Sequence, residues 1–82
     1  MSYSRGNILW VDDEIEHLKP HILFLQEKGY SLSKASNGQD AIELCKENTF
    51  DLILLDQSMP GMDGLETLAE IKKDRSSQLI IM

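Results

Sequence analysis

An 82-residue chain with 14 acidic against 8 basic side chains has room for one small domain, and its net charge of −6 argues against nucleic acid as a direct partner. Apolar residues make up 41% of it, enough for a packed core rather than disorder. The single cysteine, Cys45, excludes an internal disulfide; with no apolar run of membrane-spanning length and no apolar leader in residues 1–6, the expected setting is the cytoplasm.

Asn7-Ile8-Leu9-Trp10-Val11 is a continuous apolar run, the pattern of a strand buried on both faces of a parallel sheet, and it stops abruptly at Asp12-Asp13-Glu14. Between Glu14 and Lys28, the residues Ile15, Leu18, Ile22 and Leu25 recur at three- and four-residue steps and predict one helix, bent by Pro20 inside it and stopped by Gly29. Tyr30 to Ala35 alternates weakly, as an outer strand does. Ser36 and Gln39 have capping-box spacing, which predicts a helix with Ala41, Ile42, Leu44 and Cys45 on one side and an end near Asn48.

Phe50-Asp51-Leu52-Ile53-Leu54-Leu55 is the strongest central strand, and it too stops at an acid, Asp56. A loop with Pro60 and Gly61 follows, and Asp63 with Glu66 repeats the cap logic for a third helix that buries Leu65, Leu68, Ala69 and Ile71. After a turn from Asp74 to Ser77, Leu79-Ile80-Ile81-Met82 opens a fourth strand. The order βαβαβαβ is the α/β signature, with right-handed crossovers placing helices on both sheet faces. Because the sequence runs out inside an apolar strand, it is expected to be a piece of a longer chain, and in isolation to self-associate through that open edge.

Binding residues of a parallel α/β sheet gather at the carboxyl ends of its strands. Asp12 and Asp13 follow the first strand and Asp56 the third, so adjacent central strands would bring three carboxylates into one crevice. Such a cluster either raises its own pKa values or recruits a cation, and hard oxygen ligands with few protein contacts suit Mg²⁺.

Val11-Asp12-Asp13-Glu14, then Asn37-Gly38 before Ala41, then Asp56-Gln57-Ser58-Met59-Pro60-Gly61-Met62-Asp63-Gly64 resemble, in order, the motifs of response-regulator receiver domains. The resemblance covers the whole sequence as the N-terminal two-thirds, residues 1–82, of such a domain. It implies a CheY-like, flavodoxin-like doubly wound parallel sheet of order 2-1-3-4 in the part present. It also implies that Asp56 is the phosphoacceptor and that Asp13 and Asp56 hold Mg²⁺ through carboxylate oxygens. Asp12 would act mainly through water, and the backbone carbonyl of Ser58 would be a further ligand. The implied partners are a sensor histidine kinase or phosphotransfer protein and an output domain or downstream protein, with self-phosphorylation and autodephosphorylation the only chemistry. Receivers also use a Ser or Thr after the fourth strand and a Lys after the fifth, positions beyond the last residue here. A narrower likeness, in residues 8–15 and 18–25, is to PorX-type regulators of type IX secretion in Bacteroidetes, which join a receiver to a helical segment and an alkaline-phosphatase-like effector.

Two other functions compete. A Mg²⁺-dependent phosphatase of the haloacid dehalogenase type also places a nucleophilic Asp after a buried strand, but wants a second Asp two residues on, where Ser58 follows Asp56 and Glu14 follows Asp12. A non-phosphorylated interaction module would not need all three acids. His17 and His21 have the four-residue spacing of some metal pairs, but lack a third ligand nearby and read as surface. Cys45 and Trp10 read as packing; Met59 and Met62 either pack or line the mouth of the acidic crevice.

Overall fold

In the computed structural model, residues 5–82 are described, so the N-terminal Met1 to Ser4, read above as lacking a leader, lies outside them. The first strand, β1 (Gly6–Val11), pairs in parallel with β2 (Tyr30–Ala35) on one side and β3 (Leu52–Leu55) on the other, and β4 (Ile80–Ile81) pairs with β3. The sheet order is β2-β1-β3-β4, the expected doubly wound arrangement. Three helices connect the strands: α1 (Lys19–Glu27), α2 (Gly38–Glu47) and α3 (Gly64–Asp74).

Alternation along the central strands divides the core between two faces. Leu9, Val11, Ile53 and Leu55 cluster with Ala41 and Cys45 of α2 and Ile71 of α3, and Leu9, Val11 and Ile53 are fully excluded from solvent. Trp10 points to the other face, half-buried, with its ring edge-on to His21 of α1 at 6.3 Å between centroids. Phe50 and Met59 are buried members of the same cluster. Met59 therefore packs, while Met62 is half-buried in the loop before α3.

Four local expectations are corrected. The helix foreseen across residues 14–28 is divided: a 3₁₀ turn (Ile15–Leu18) precedes α1, so Pro20 lies in the first turn of α1. There its missing N–H would have had no intrahelical partner, and no bend is needed. The cap of α2 is Asn37 rather than Ser36; its side-chain oxygen accepts the Asp40 N–H at 2.8 Å. The third strand begins at Leu52, two residues later than foreseen, after the Asp51 N–H has bonded the Asn7 carbonyl at 2.8 Å. On α3, Leu65 is 60% exposed and Ala69 is also exposed, whereas Thr67 is fully buried and its hydroxyl donates to the Asp63 carbonyl at 2.8 Å. The expected cap does form, with Asp63 accepting the Glu66 N–H at 2.9 Å. Gly29, at φ +100°, supplies the left-handed residue that ends α1.

These placements set an order of mutational cost. Ile53→Ala should lower unfolding free energy by about 2–5 kcal/mol through the cavity it leaves. Asn37→Ala should cost about 1 kcal/mol through the lost cap. Leu65→Ala should stay within about 0.5 kcal/mol. Urea unfolding of the three variants checks the ranking; a Leu65 effect as large as that of Ile53 would contradict the packing described.

Candidate metal centre

Both halves of the acidic crevice are held by the main chain before any side chain is considered. β1 and β3 pair from Ile8↔Leu52 to Val11↔Leu55, so the two strands end at the same level. The next residue on each is an acid, and each is anchored: the Asp56 N–H donates to the Val11 carbonyl at 2.8 Å, and the Asp12 N–H to the Ala35 carbonyl at 3.0 Å. One carboxylate oxygen from each of Asp12, Asp13 and Asp56 lies within 4.8 Å of the other two. Among the described residues this is the one such grouping of three potential ligands, and His17 and His21 stay exposed outside it.

The three side chains differ in freedom. Asp12 is half-buried, and its Oδ1 accepts the Glu14 N–H at 2.8 Å in a local turn. Asp56 is half-buried at the end of β3, and its Oδ1 accepts a long hydrogen bond of 3.3 Å from the Ser58 N–H. Asp13 is exposed as a residue, yet its carboxyl is pushed above the usual carboxylate range. Loss of solvation at the crevice is the largest cause, followed by the negative charges of Asp56, Glu14 and Asp12 and a hydrogen bond shared with Asp56. Among the described residues, the ion pairs formed by Lys19, Lys34, Lys73 and His17 go to Glu16, Glu70 and Glu14, so none of them neutralises the three aspartates.

This donor set fits a divalent cation. It offers hard oxygens from two strand ends, open to solvent on the Asp13 side, with mutual repulsion that a cation would relieve. Sequence reasoning found all three acids. It did not single out Gly64, which is buried directly behind Asp56; a glycine at the first position of a helix, where most residues are tolerated, was the available signal.

The comparisons with known proteins agree with this geometry. The family described as the response regulator receiver domain matches residues 8–82. The transcriptional regulatory protein ZraR of Klebsiella oxytoca is 46% identical over 72 residues, which cover 88% of this chain and 16% of that protein. The response regulator TrrA of Thermotoga maritima, crystallised with Mg²⁺-BeF, superposes with a TM-score of 0.84 at 38% identity, covering all of this chain and 68% of that one. TrrA in complex with the histidine kinase ThkA gives a TM-score of 0.82 at 38% identity, over 98% of this chain and 66% of that one. The chain thus spans about a sixth of the length of ZraR and about two thirds of the solved TrrA chains. No helix among the described residues is long and apolar enough to cross a membrane.

The raised Asp13 carboxyl has a definite linkage sign. Between the ordinary value of 3.8 and the raised one, the folded state holds a proton that the unfolded chain has released, so stability falls as pH rises through that window. Above the window the penalty is fully present. In EDTA at pH 7, Asp13→Asn should therefore melt at a higher temperature than wild type, and the gap should close as pH falls to about 4, near the ordinary Asp value. A gap that is absent at pH 7, or that widens on acidification, would refute this account.

Proposed function

Because the chain belongs to the response regulator receiver domain family, a component of two-component signalling, we propose that Asp56 accepts a phosphoryl group from the phosphohistidine of a sensor histidine kinase or phosphotransfer protein. The observation that carries this reading is the meeting of three carboxylates from the ends of β1 and β3 within 4.8 Å. Asp13 and Asp56 would hold Mg²⁺ directly, with the Ser58 carbonyl as a further ligand. Asp12, one oxygen of which is tied to the Glu14 N–H, would contribute through water. When bound, Mg²⁺ supplies charge neutralisation to the transferring phosphoryl group.

An Asp56 carboxylate oxygen attacks phosphorus, an O–P bond forms as the P–N bond to the donor imidazole breaks, and the departing nitrogen takes up a proton. The long hydrogen bond from the Ser58 N–H steers the Asp56 carboxylate without tying it down. The acyl phosphate so formed hydrolyses in place, so no external metabolite is turned over. Crystals of TrrA with Mg²⁺-BeF and of TrrA with ThkA support the cation and the kinase as partners for this chain. The cytoplasm is the setting that fits an unpaired, buried Cys45. For the output, the likeness of residues 8–15 and 18–25 to PorX-type regulators favours a covalently joined effector domain.

Two measurements test the reading. Mg²⁺ at a hundred times its dissociation constant should add about 2.7 kcal/mol to stability, and Asp13→Ala should abolish most of that gain. Equal thermal shifts in both proteins would remove Asp13 from the site. Acetyl phosphate with Mg²⁺ should label a single aspartate in the full-length protein, seen by mass spectrometry and lost in Asp56→Asn; undiminished labelling of that variant would falsify the phosphoacceptor assignment.

A further inference from the structure

We infer that Gly64 is a positioning residue for Asp56, its missing side chain being the space that lets the start of α3 rest directly on the phosphoacceptor's own backbone. The inference builds on the metal and phosphoacceptor reading above. From Asp56 the chain loops out and returns at the first residue of α3, where the Gly64 N–H donates to the Gln57 carbonyl at 3.2 Å. Gly64 is buried, and its φ is not positive, so conformational freedom is not why glycine stands there. Space is the reason. A Cβ at this position would lie 2.6 Å from the Asp56 carbonyl oxygen and 2.8 Å from Gln57 Cα. Both are backbone atoms, so no rotamer change can relieve the overlap; the third neighbour, Met82 Cε at 2.9 Å, is a flexible tip that can move aside.

The question is then which side gives way. α3 is pinned from behind: Asp63 caps it through the Glu66 N–H at 2.9 Å, and Thr67, fully buried, donates its hydroxyl to the Asp63 carbonyl at 2.8 Å. Thr67 in turn lies against Gly38 of α2, where an added Cβ would overlap its hydroxyl oxygen. With α3 backed by α2, a side chain at position 64 displaces residues 56–57. That moves the Asp56 carboxylate and the Ser58 amide and carbonyl that follow it. Gly38 is the internal contrast. It is equally crowded, but by side-chain atoms of Thr67 and Met62 rather than by the backbone of the site.

The test compares Gly64→Ala with Gly38→Ala by calorimetric titration with Mg²⁺ in the full-length protein, alongside wild type and Asp13→Ala. Misplacing a ligand by a fraction of an ångström should weaken Mg²⁺ binding roughly tenfold in Gly64→Ala. Gly38→Ala should lower the melting temperature but hold Mg²⁺ within about twofold of wild type, since its strain falls on side chains away from the ligands. Wild-type affinity in folded Gly64→Ala, or an equal loss in both variants, would overturn the inference. Should Gly64→Ala not fold, the wild-type amide resonances decide. The Gly64 amide should shift with the same Mg²⁺ midpoint as those of Asp56 and Ser58 while Gly38 stays still, and an unmoved Gly64 overturns the proposal. Absence of Mg²⁺ binding to wild type would instead bring down the reading on which it rests.

Discussion

Val11 pairs with Leu55 across the middle of the sheet, and this one register decides the height at which both central strands release their chains. A slip by one residue would reverse every side chain of β3, exposing Ile53 and Leu55 and burying their neighbours instead. Burial of Leu9, Val11, Ile53 and Leu55 thus locks the register, and the locked register forces Asp12, Asp13 and Asp56 together whatever their mutual repulsion. The apolar core supplies the force, and the acidic site is where that force is spent against electrostatics. A protein free to relax that repulsion would separate the acids by moving a strand, and the core forbids it.

The loops that leave the two strands are built to hold this arrangement with few residues. Asp12 folds back on the Glu14 N–H, and Asp56 receives the Ser58 N–H, so each anchors its own exit turn with the same group it offers to the site. Carboxylates commonly make such turns, bonding backbone two residues on. Here the turn leaves Asp13 as the most exposed member, and its raised carboxyl reflects first the loss of solvation at the crevice and then the charge gathered around it. A cation joining the three would relieve the repulsion among them, at strand ends already held by main-chain hydrogen bonds.

The two sheet faces are unequal, and the difference bears on how the site is supported. On the α2 and α3 face the core is continuous, and close glycine contacts bring α2 onto α3 and α3 onto the end of β3. On the α1 face, Trp10 and Leu54 are only half-buried, and Phe24 of α1, which lines a surface pocket with Trp10, is 57% exposed. Rigidity behind Asp56 therefore comes from α3, while Trp10, two residues before Asp12, lies on the more open side.

What the residues alone determined is what short-range physics and simple patterning control. Buried parallel strands are apolar runs, so β1 and β3 could be read directly, and an acid at the end of each could be placed at the carboxyl edge because all binding groups of such sheets gather there. The three aspartates and the βαβ order were legible for that reason. Local ambiguities were not resolvable at this level. Three- and four-residue spacings fit a 3₁₀ turn followed by a helix as well as one helix across Pro20, and Ser36 and Asn37 are equally good caps. In the structure Asn37 is the cap, its side-chain oxygen accepting the Asp40 N–H. Leu65 looked like core because it continues an apolar stripe, but the rotation of α3 about its axis, set by Ile71 and Thr67 packing inward, left it in water. The 4.8 Å approach of the carboxylates, the elevated Asp13 and the contact of Gly64 with the Asp56 backbone belong to the tertiary structure alone. Each depends on elements far apart in sequence being held in one register, and no local pattern of residues encodes a distance between two strands.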